Sequence, residues 1–318
     1  METTDVDKVS RTKAWLLATR PMTVPVGVSP ILVGAGLAVH EGIFVLELAV
    51  ASLVAMLLNQ QGTHFVNDYY DAIRGIDTDD REGFTRVTQA GLLPAEHVKQ
   101  GIWVVYALTF IAGIYPVYVG GVPMLVTGVF LAVTGFLYAG PPVYYADNGL
   151  GDLAIFWVFG VFPAGATYYL MAVKSAGVGA FPVEIPAGTV PMEAFVASLA
   201  PAGLATAMMI INNMRDRETD MEAGKRTMPV RFGYGFSRAE FVAMLGLVYL
   251  APVVLWANYG FEIWVLLPLA SIPYAVSVTR QVLNNTDEVL NRALVREGHL
   301  TTLYSVLFAV GASVPAVL

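Results

Sequence analysis

The segment from Gln100 to Ala146, QGIWVVYALTFIAGIYPVYVGGVPMLVTGVFLAVTGFLYAGPPVYYA, contains no aspartate, glutamate, lysine or arginine. A helix that crosses a lipid bilayer needs about 20 predominantly apolar residues, so this segment is too long for a single crossing. Near its middle it contains the helix-breaking residues Gly120, Gly121 and Pro123. The segment therefore predicts a hairpin of two membrane-spanning helices.

The rest of the chain also has the composition of an integral membrane protein. Of its 318 residues, 56% are hydrophobic and 14% are charged, whereas soluble domains contain about 25% charged residues. Nine stretches are long and apolar enough to cross a bilayer, and they lie at residues 21–40, 44–66, 101–119, 122–140, 153–173, 194–213, 241–256, 261–279 and 299–318. We expect an all-α integral membrane protein of about nine transmembrane helices, formed by a single domain (1–318) with a polar cytoplasmic N-terminus (1–20).

The distribution of lysine and arginine indicates how these helices are oriented, because short cytoplasmic loops are rich in both residues. If the N-terminus is cytoplasmic and the chain crosses nine times, 17 of the 18 basic residues lie on the cytoplasmic side and only Lys174 lies outside. The sequence therefore predicts a multi-pass protein of the cell membrane with its N-terminus in the cytoplasm.

Several functions are disfavoured by the composition. The chain has no cysteine, which excludes thiolate chemistry, and its four histidines are scattered without metal-ligand spacing. A formal net charge of −7 argues against a nucleic-acid partner. The first 20 residues show no apolar region of the signal-peptide type. No feature indicates an obligate protein partner.

Two acidic clusters follow predicted helices at their cytoplasmic ends. The first is Asn67-Asp68-Tyr69-Tyr70-Asp71, with further acids at Asp77, Asp79 and Asp80. The second runs from Asn212 to Asp220 as NNMRDRETD and is followed by Gly224-Lys225-Arg226-Thr227. Residues three or four apart share one side of a helix, as do Gln60, His64, Asn67 and Asp71, and likewise Asn212 or Asn213, Asp216 and Asp220. Polar groups at membrane depth usually face a cavity, so the two stripes predict a cavity open to the cytoplasm.

Carboxylates placed this close together repel one another unless a cation lies among them. Mg²⁺ suits such a site, since it binds a few carboxylates together with substrate phosphates. A calcium-binding EF-hand loop starting at Asp77 is excluded, because its sixth position, which must be glycine, is Glu82. Arg86, Lys225 and Arg226 would neutralise the phosphate oxygens of a diphosphate.

Ordinary structural roles compete with these assignments. Acidic and basic residues in a cytoplasmic loop are often merely solvated, although two clusters of the same pattern argue against that explanation here. His64 is as well explained by a structural hydrogen bond as by catalysis. Tyr138 and Tyr168 are tyrosines of the kind that pack in membrane proteins or lie at the membrane interface.

The paired motifs resemble the aspartate-rich motifs of the UbiA superfamily of intramembrane prenyltransferases. Further segments resemble its 1,4-dihydroxy-2-naphthoate polyprenyltransferase branch, namely Arg20-Pro21, Gly75-Ile76-Asp77, Gln89-Ala90-Gly91, Gly149-Leu150-Gly151-Asp152-Leu153, Thr167-Tyr168-Tyr169, Asn212-Asn213-Met214-Arg215-Asp216 and Gly224-Lys225-Arg226-Thr227. Together these segments cover most of the chain. The resemblance implies nine helices around a central cavity and transfer of a polyprenyl group from its diphosphate to the naphthoate, which gives demethylmenaquinone, CO₂ and diphosphate.

The resemblance also implies roles for individual residues. Mg²⁺ would be held by Asn67, Asp68, Asp71, Asp216 and Asp220. The diphosphate would be bound by Arg86, Arg215, Lys225 and Arg226, and the allylic cation would be stabilised by Asn67, Tyr138 and Tyr168. Two departures from the ubiquinone-type pattern favour the naphthoate branch: Gly75 stands where a third aspartate is expected, and no lysine follows Tyr138 in Tyr138-Ala139-Gly140-Pro141-Pro142.

Two other functions remain compatible with the residues. The same transfer to another acceptor would need the same site, whether that acceptor is 4-hydroxybenzoate, homogentisate, a chlorin, haem or a glyceryl phosphate lipid. A cation-coupled membrane carrier would also place aspartates in a membrane. Carriers, however, bind their substrates near the bilayer midplane, whereas these carboxylates lie at cytoplasmic helix ends and are accompanied by lysine and arginine.

Overall fold

A computed structural model describes residues 9–76 and 86–314. Within these ranges the chain is helical and contains no β-strand. The α-helices are α1 (Arg11–Ala18), α2 (Val24–His40), α3 (Leu46–Ile73), α4 (Ala95–Leu137), α5 (Gly151–Phe156), α6 (Phe162–Ser175), α7 (Met192–Arg215), α8 (Arg217–Glu222), α9 (Met228–Asn258), α10 (Ile272–Asn284) and α11 (Val289–Ser313). A π-helical turn (Trp157–Val161) joins α5 to α6, and a 3₁₀-helix (Ile263–Ser271) leads into α10.

Six helical segments of the described chain are long and apolar enough to cross a membrane. They are Arg11–His40, Ala95–Leu137, Gly151–Ser175, Met192–Arg215, Met228–Asn258 and Ile263–Asn284. Helices α3 and α11 occupy two further predicted stretches, but polar residues such as Asn59 and Gln60 in α3 and Glu297 in α11 reduce their apolar character. The all-α membrane class is confirmed, while the count of nine crossings and the cytoplasmic N-terminus stay predictions.

Helix α4 is the predicted hairpin, and its break is confirmed at Gly121. This residue has φ 64° and ψ −148°, a conformation that glycine adopts without the steric cost of a Cβ. The break divides α4 into a first arm (95–120) and a second arm (122–137). Backbone hydrogen bonds on both sides of Gly121 tie the tip to the loop after α6: Phe181 N donates to Tyr118 O and Val122 N donates to Pro182 O, each at 2.9 Å.

Small residues allow the inner helices to approach one another closely. Helix α7 is largely buried and is rich in alanine along its length. Gly160, in the π-helical turn, packs directly against Ala202 of α7, because a Cβ at Gly160 would come within 2.5 Å of the Ala202 backbone nitrogen. Helix packing in membranes depends on such small residues, which let backbones approach.

Gly160→Ala is therefore expected to destabilise the protein, whereas Gly165→Ala, one turn further along, is expected to stabilise it slightly. Overpacking a tight site costs about 1–3 kcal/mol, and the backbone against Gly160 has no room to move. No atom lies within 4 Å of a Cβ at Gly165, so alanine there gains only its helix preference of roughly 0.5–1 kcal/mol. Thermal unfolding of both variants in detergent would test this. Equal melting temperatures would contradict the close packing.

The second motif differs from its sequence prediction. A single helix was expected to carry Asn212 or Asn213, Asp216 and Asp220, but α7 ends at Arg215 and Asp220 lies on the separate short helix α8. Asp216 stands between the two helices with φ −87° and ψ 6°. The spacing of four residues continues across this break, so the sequence pattern does not reveal it.

Candidate active site

A polar cavity of about 140 Å³ lies where α3 and α7 end. We call it the motif cavity, because residues of both acidic motifs line it. Its polar lining comprises Arg20, Thr23, Gln60, Thr63, His64, Asn67, Arg86, Tyr138, Asp147, Asn212, Asn213, Arg215, Asp216, Asp220, Lys225 and Thr227. Apolar side chains, among them Val26, Phe159, Met208 and Met209, form the rest. The cavity thus combines a charged end with an apolar wall.

The polar stripe of α3 faces this cavity. Gln60, His64 and Asn67 line it on successive turns, as their spacing predicts. Gln60 Nε2 donates to Thr23 O at 2.8 Å, and His64 Nε2 lies 2.9 Å from Thr23 Oγ1. These bonds hold the stripe against the N-terminal end of α2, and they give His64 a structural hydrogen bond.

Asn67 links two arginines to Asp71, the last residue of the first motif. Its Oδ1 accepts hydrogen bonds from Arg86 Nη1 at 2.7 Å and from Arg20 Nη2 at 3.0 Å. Its Nδ2 donates to Asp71 Oδ2 at 2.8 Å. Asn67, Arg86 and Asp71 are all at least nine-tenths buried. The Arg86 guanidinium and the Asp71 carboxylate are therefore held out of bulk water, and the half-buried Arg20 joins them through Asn67.

Lys225 connects the two motifs. Its Nζ lies 3.1 Å from Asp71 Oδ2, 3.9 Å from Asp220 Oδ1 and 3.8 Å from Asp147 Oδ1. Burial lowers the pKa of the Lys225 ammonium, but the charges of Asp71, Asp220 and Asp147 outweigh burial, so its pKa lies above the ordinary value. Lys225 is therefore a fixed cation at neutral pH, and residues about 150 positions apart in sequence meet at one point.

Arg215 organises the second motif. Its Nε and Nη2 donate to the two carboxylate oxygens of Asp216 at 2.7 and 2.8 Å, a bidentate arrangement. Nη2 also donates to Asn212 Oδ1 at 2.8 Å. The neighbouring amide, Asn213 Nδ2, donates to the buried Asp152 at 3.0 Å. The end of α7 is thus fixed by charge-assisted bonds, which leaves Asp220 on α8 to face Lys225.

Four predicted site residues lie outside the lining of the motif cavity. Asp71 is fully buried and bonds to the lining residues Asn67 and Lys225. Asp68 points to the loop before α4, where its Oδ2 accepts from the backbone and side chain of Thr88. Tyr168 is 6% exposed and packs in the main hydrophobic core, outside the lining of the motif cavity. Arg226 lines an adjoining polar pocket of about 330 Å³, which shares Lys225 and Asp147 with the motif cavity.

The loop acids Asp77, Asp79 and Asp80 lie outside the described residues, so the structure gives no position for them.

The donor set fits Mg²⁺ by chemistry, although the side chains of residues 9–76 and 86–314 do not assemble a metal site. Among the described residues, no three histidine or acidic side chains are close enough to hold a metal ion. Lys225 instead stands among the carboxylates, where a cation is needed. Asp71 Oδ1 is buried and has no hydrogen-bond partner among the described residues. Carboxylate and amide oxygens are ligands that Mg²⁺ accepts, so Asp71, Asp220, Asp216 and Asn67 fit that ion.

Two charged residues that line the cavity are not among the site residues predicted from the sequence. Asp147 follows Pro141-Pro142 in a 3₁₀ turn, and it binds both Arg74, at 2.7 Å, and Lys225. Arg20 reaches Asn67 from the loop before α2. Arg20 directly precedes the first membrane span, where its charge would have been a usable signal, whereas Asp147 is a single acid without a repeated spacing.

Comparison with known proteins shows the family. Residues 27–308 match the UbiA prenyltransferase family. The chain belongs to this family. A relative in Escherichia coli, 1,4-dihydroxy-2-naphthoate octaprenyltransferase, is 31% identical over 315 residues, which cover 96% of each chain. The resemblance seen in the two acidic motifs is confirmed, and the chain is a prenyltransferase enzyme.

Solved UbiA structures share the fold. The apo structure of a UbiA homologue from Aeropyrum pernix K1 has a TM-score of 0.68 at 13% identity, over 90% of this chain and 97% of that one. A UbiA homologue from Archaeoglobus fulgidus bound to GPP and Mg²⁺ has a TM-score of 0.62 at 19% identity, over 95% of this chain and all of that one. At these identities the likeness concerns the fold alone.

Proposed function

We propose that this UbiA enzyme transfers a polyprenyl group from polyprenyl diphosphate to 1,4-dihydroxy-2-naphthoate. The observation that carries the proposal is the meeting of Asp71 and Asp220 at Lys225, a residue that lines a cavity with an apolar wall. A relative that is an octaprenyltransferase for this naphthoate, similar over almost the whole chain, supports the acceptor. We choose a prenyl diphosphate as the substrate and Mg²⁺ as the cofactor by analogy with the Archaeoglobus fulgidus homologue, which was solved with GPP and Mg²⁺.

The charged end of the motif cavity is the site for the diphosphate. Arg20, Arg86 and Lys225 present cationic groups there, and the Arg215 guanidinium lies beside them. Asp71, Asp220, Asp216 and Asn67 would hold Mg²⁺, and Asp68 would support them from the Thr88 loop. When bound, Mg²⁺ supplies positive charge that neutralises the diphosphate oxygens. The basic residues supply the rest of the positive charge, and such fixed charges favour departure of the diphosphate.

The apolar wall is the site for the reacting end of the prenyl chain. When the C–O bond breaks, the diphosphate leaves with the electron pair and an allylic cation remains. Electron-rich groups stabilise a cation at short range, and Tyr138, Phe159, Met208 and Met209 line this wall. Tyr138 is fixed by donating its hydroxyl to Met209 Sδ at 3.2 Å. Apolar walls also exclude water, which would otherwise capture the cation.

An aromatic carbon of the acceptor then attacks the cation, and the new C–C bond attaches the prenyl chain to the ring. The acceptor's carboxyl group leaves as CO₂, and the electrons of that bond restore the aromatic ring. No oxidant takes part, so the product leaves at the oxidation level of a quinol. The enzyme acts as a single domain in the cell membrane with the motif cavity facing the cytoplasm, and we infer no obligate protein partner.

An acceptor panel tests this proposal. The purified enzyme would receive a long polyprenyl diphosphate together with the naphthoate, 4-hydroxybenzoate, homogentisate or geranylgeranylglyceryl phosphate, and product masses and CO₂ would be recorded. We expect product only from the naphthoate, and none after treatment with EDTA. Product from another acceptor alone would reject the naphthoate but keep the prenyl transfer. Full turnover in EDTA would reject the metal assignment.

A further inference from the structure

A second cavity, which we call the lipid-side cavity, lies between α3, the two arms of α4 and α6. Its volume is about 480 Å³, and small-molecule sites typically have about 300–1,000 Å³. Its lining is predominantly apolar, with Ile31, Met56, Leu131 and Pro163 among its residues. None of the residues discussed for the diphosphate lies in it, so the proposed transfer reaction leaves this cavity without a role.

The lipid-side cavity opens sideways between the two arms of α4. Phe110 and Ile114 of the first arm line it and are 73% and 56% exposed, and Val129 of the second arm is 54% exposed. In a membrane these side chains face lipid. On the opposite side of the bundle α2 is closed against α11, since a Cβ at Gly36 would lie 2.8 Å from Ala309 Cα. The opening between the arms is therefore a route from the interior to the bilayer.

One residue that lines this apolar space carries a buried amide with no hydrogen-bond partner among the described residues. Asn59 lines the lipid-side cavity and is 3% exposed, and neither atom of its amide has a hydrogen-bond partner within the described ranges. Ser52, two turns earlier on the same face of α3, also lines the cavity and has a buried, unpartnered Oγ. Buried polar atoms are nearly always hydrogen-bonded. The amide therefore indicates a ligand that has hydrogen-bonding atoms of its own, and a plain hydrocarbon chain has none.

The depth of Asn59 restricts what that ligand is. It is the fourteenth of the 28 residues of α3, and a helix of that length spans about 42 Å. Asn59 thus lies halfway along a helix that exceeds the hydrocarbon thickness of about 30 Å. The head group of a phospholipid stays at the membrane surface. A ring with two oxygens and a long apolar chain, by contrast, is sufficiently apolar to reach this depth.

Gly135, in the second arm of α4, is packed between residues of the two cavities. Three polar atoms surround the position that a Cβ would take there: Thr63 Oγ1 at 2.6 Å, the Tyr106 hydroxyl at 3.5 Å and Asn59 Oδ1 at 3.6 Å. Thr63 lines the motif cavity, whereas Tyr106 and Asn59 line the lipid-side cavity. Asn59 is therefore the residue of the lipid-side cavity that lies near the lining of the motif cavity.

We propose that the lipid-side cavity binds the prenylated aromatic product, with its ring oxygens hydrogen-bonded to Asn59 and its polyprenyl chain leading between the arms of α4 into the lipid. This inference rests on the proposed function, since that reaction yields such a quinol. The product is the one reaction component that combines ring oxygens, a long apolar chain and no ionised group.

The test is binding of tritium-labelled 2-geranylgeranyl-1,4-naphthoquinone to the enzyme in lipid nanodiscs. Asn59→Leu replaces the amide with an apolar side chain of the same branching. Gly128→Phe places a ring in the cavity, since no atom of the described residues lies within 4 Å of a Cβ at Gly128. The matched control is Gly246→Phe on α9, an exposed glycine that also has no atom within 4 Å. We expect at least about tenfold weaker binding in the first two variants, the effect of roughly one lost hydrogen bond or more, and wild-type binding in the control.

Unchanged binding in the Asn59 and Gly128 variants, at wild-type melting temperature, would overturn the inference. A second result would also overturn it: squalene or excess phospholipid displaces the label as effectively as the unlabelled naphthoquinone does. The cavity would then bind any apolar chain. The acceptor panel is read separately. If the enzyme prenylates the naphthoate but does not bind the label, only the proposed product site is refuted. If it binds the label in the expected pattern but prenylates another acceptor, only the proposed function is refuted.

Discussion

Prenyl transfer by an Asp71→Ala variant is expected to fall by about 10³-fold, as when a fixed electrostatic group is removed from a buried active site. Asp71 is fully buried, and its Oδ2 is the acceptor for both Asn67 Nδ2 and Lys225 Nζ. Without it, the first motif loses its link to the second. Asp220→Ala is expected to behave similarly, because Asp220 approaches Lys225 from the opposite motif.

The measurement is kcat/KM for prenyl diphosphate at saturating Mg²⁺ in detergent, with melting temperatures to confirm folding. Glu96→Ala is the matched control, since Glu96 is a mostly exposed acid at the start of α4 whose ion pair with Lys99 spans 3.8 Å. Activity of Asp71→Ala close to that of the control would remove Asp71 from the site. The sequence predicts smaller effects for Asp79→Ala and Asp80→Ala, which lie outside the described residues.

A Lys225→Met variant is expected to lose most of its activity and, in addition, to depend on Mg²⁺ for stability. Methionine keeps the length of the side chain but removes the one ammonium that Asp71, Asp220 and Asp147 share. Arg86 stays near Asp71 and Arg74 stays paired with Asp147, so part of the charge compensation remains. Removing one partner of a buried ion pair costs about 3–5 kcal/mol. Added Mg²⁺ is expected to restore part of this loss, since the donor set fits that ion.

Thermal unfolding in EDTA and in millimolar Mg²⁺ measures this effect without substrate. Arg226→Met is the control, because Arg226 is the next residue in sequence but lines the adjoining pocket and not the motif cavity. We expect the control to melt at one temperature in both solutions. A Lys225→Met variant that melts like wild type and does not respond to Mg²⁺ would show that the three carboxylates do not depend on the ammonium.

Much of this architecture could be predicted because membrane helices carry their signals locally. Gly121 breaks α4 where the sequence changes from apolar residues to a glycine pair, and Gln60, His64 and Asn67 share a face because helical spacing requires it. Asp147 could not be predicted in the same way. Its place beside Lys225 depends on how the chain turns after Pro141-Pro142, and a single acid has no period.

Two other differences have similar causes. Asp216 and Asp220 keep a spacing of four residues, which fits a continuous helix as well as the observed break between α7 and α8. Tyr168 could not be assigned to a face, because almost every residue of α6 around it is apolar and the core accepts a tyrosine as readily as the cavity does. The unpartnered amide of Asn59 could be identified only from its surroundings.

The hydrogen bonds at the tip of the α4 hairpin offer a way to act on this enzyme at a distance from its reactive groups. Phe181 and Pro182 form backbone hydrogen bonds with Tyr118 and Val122, one in each arm of α4. These bonds lie at the end of the hairpin opposite to Tyr138. Because the 176–191 loop is hydrogen-bonded to both arms of α4, a movement of this loop acts on both walls of the opening between the arms. An antibody fragment clamped on this loop would therefore set the width of that opening mechanically while leaving every charged residue of the motifs untouched.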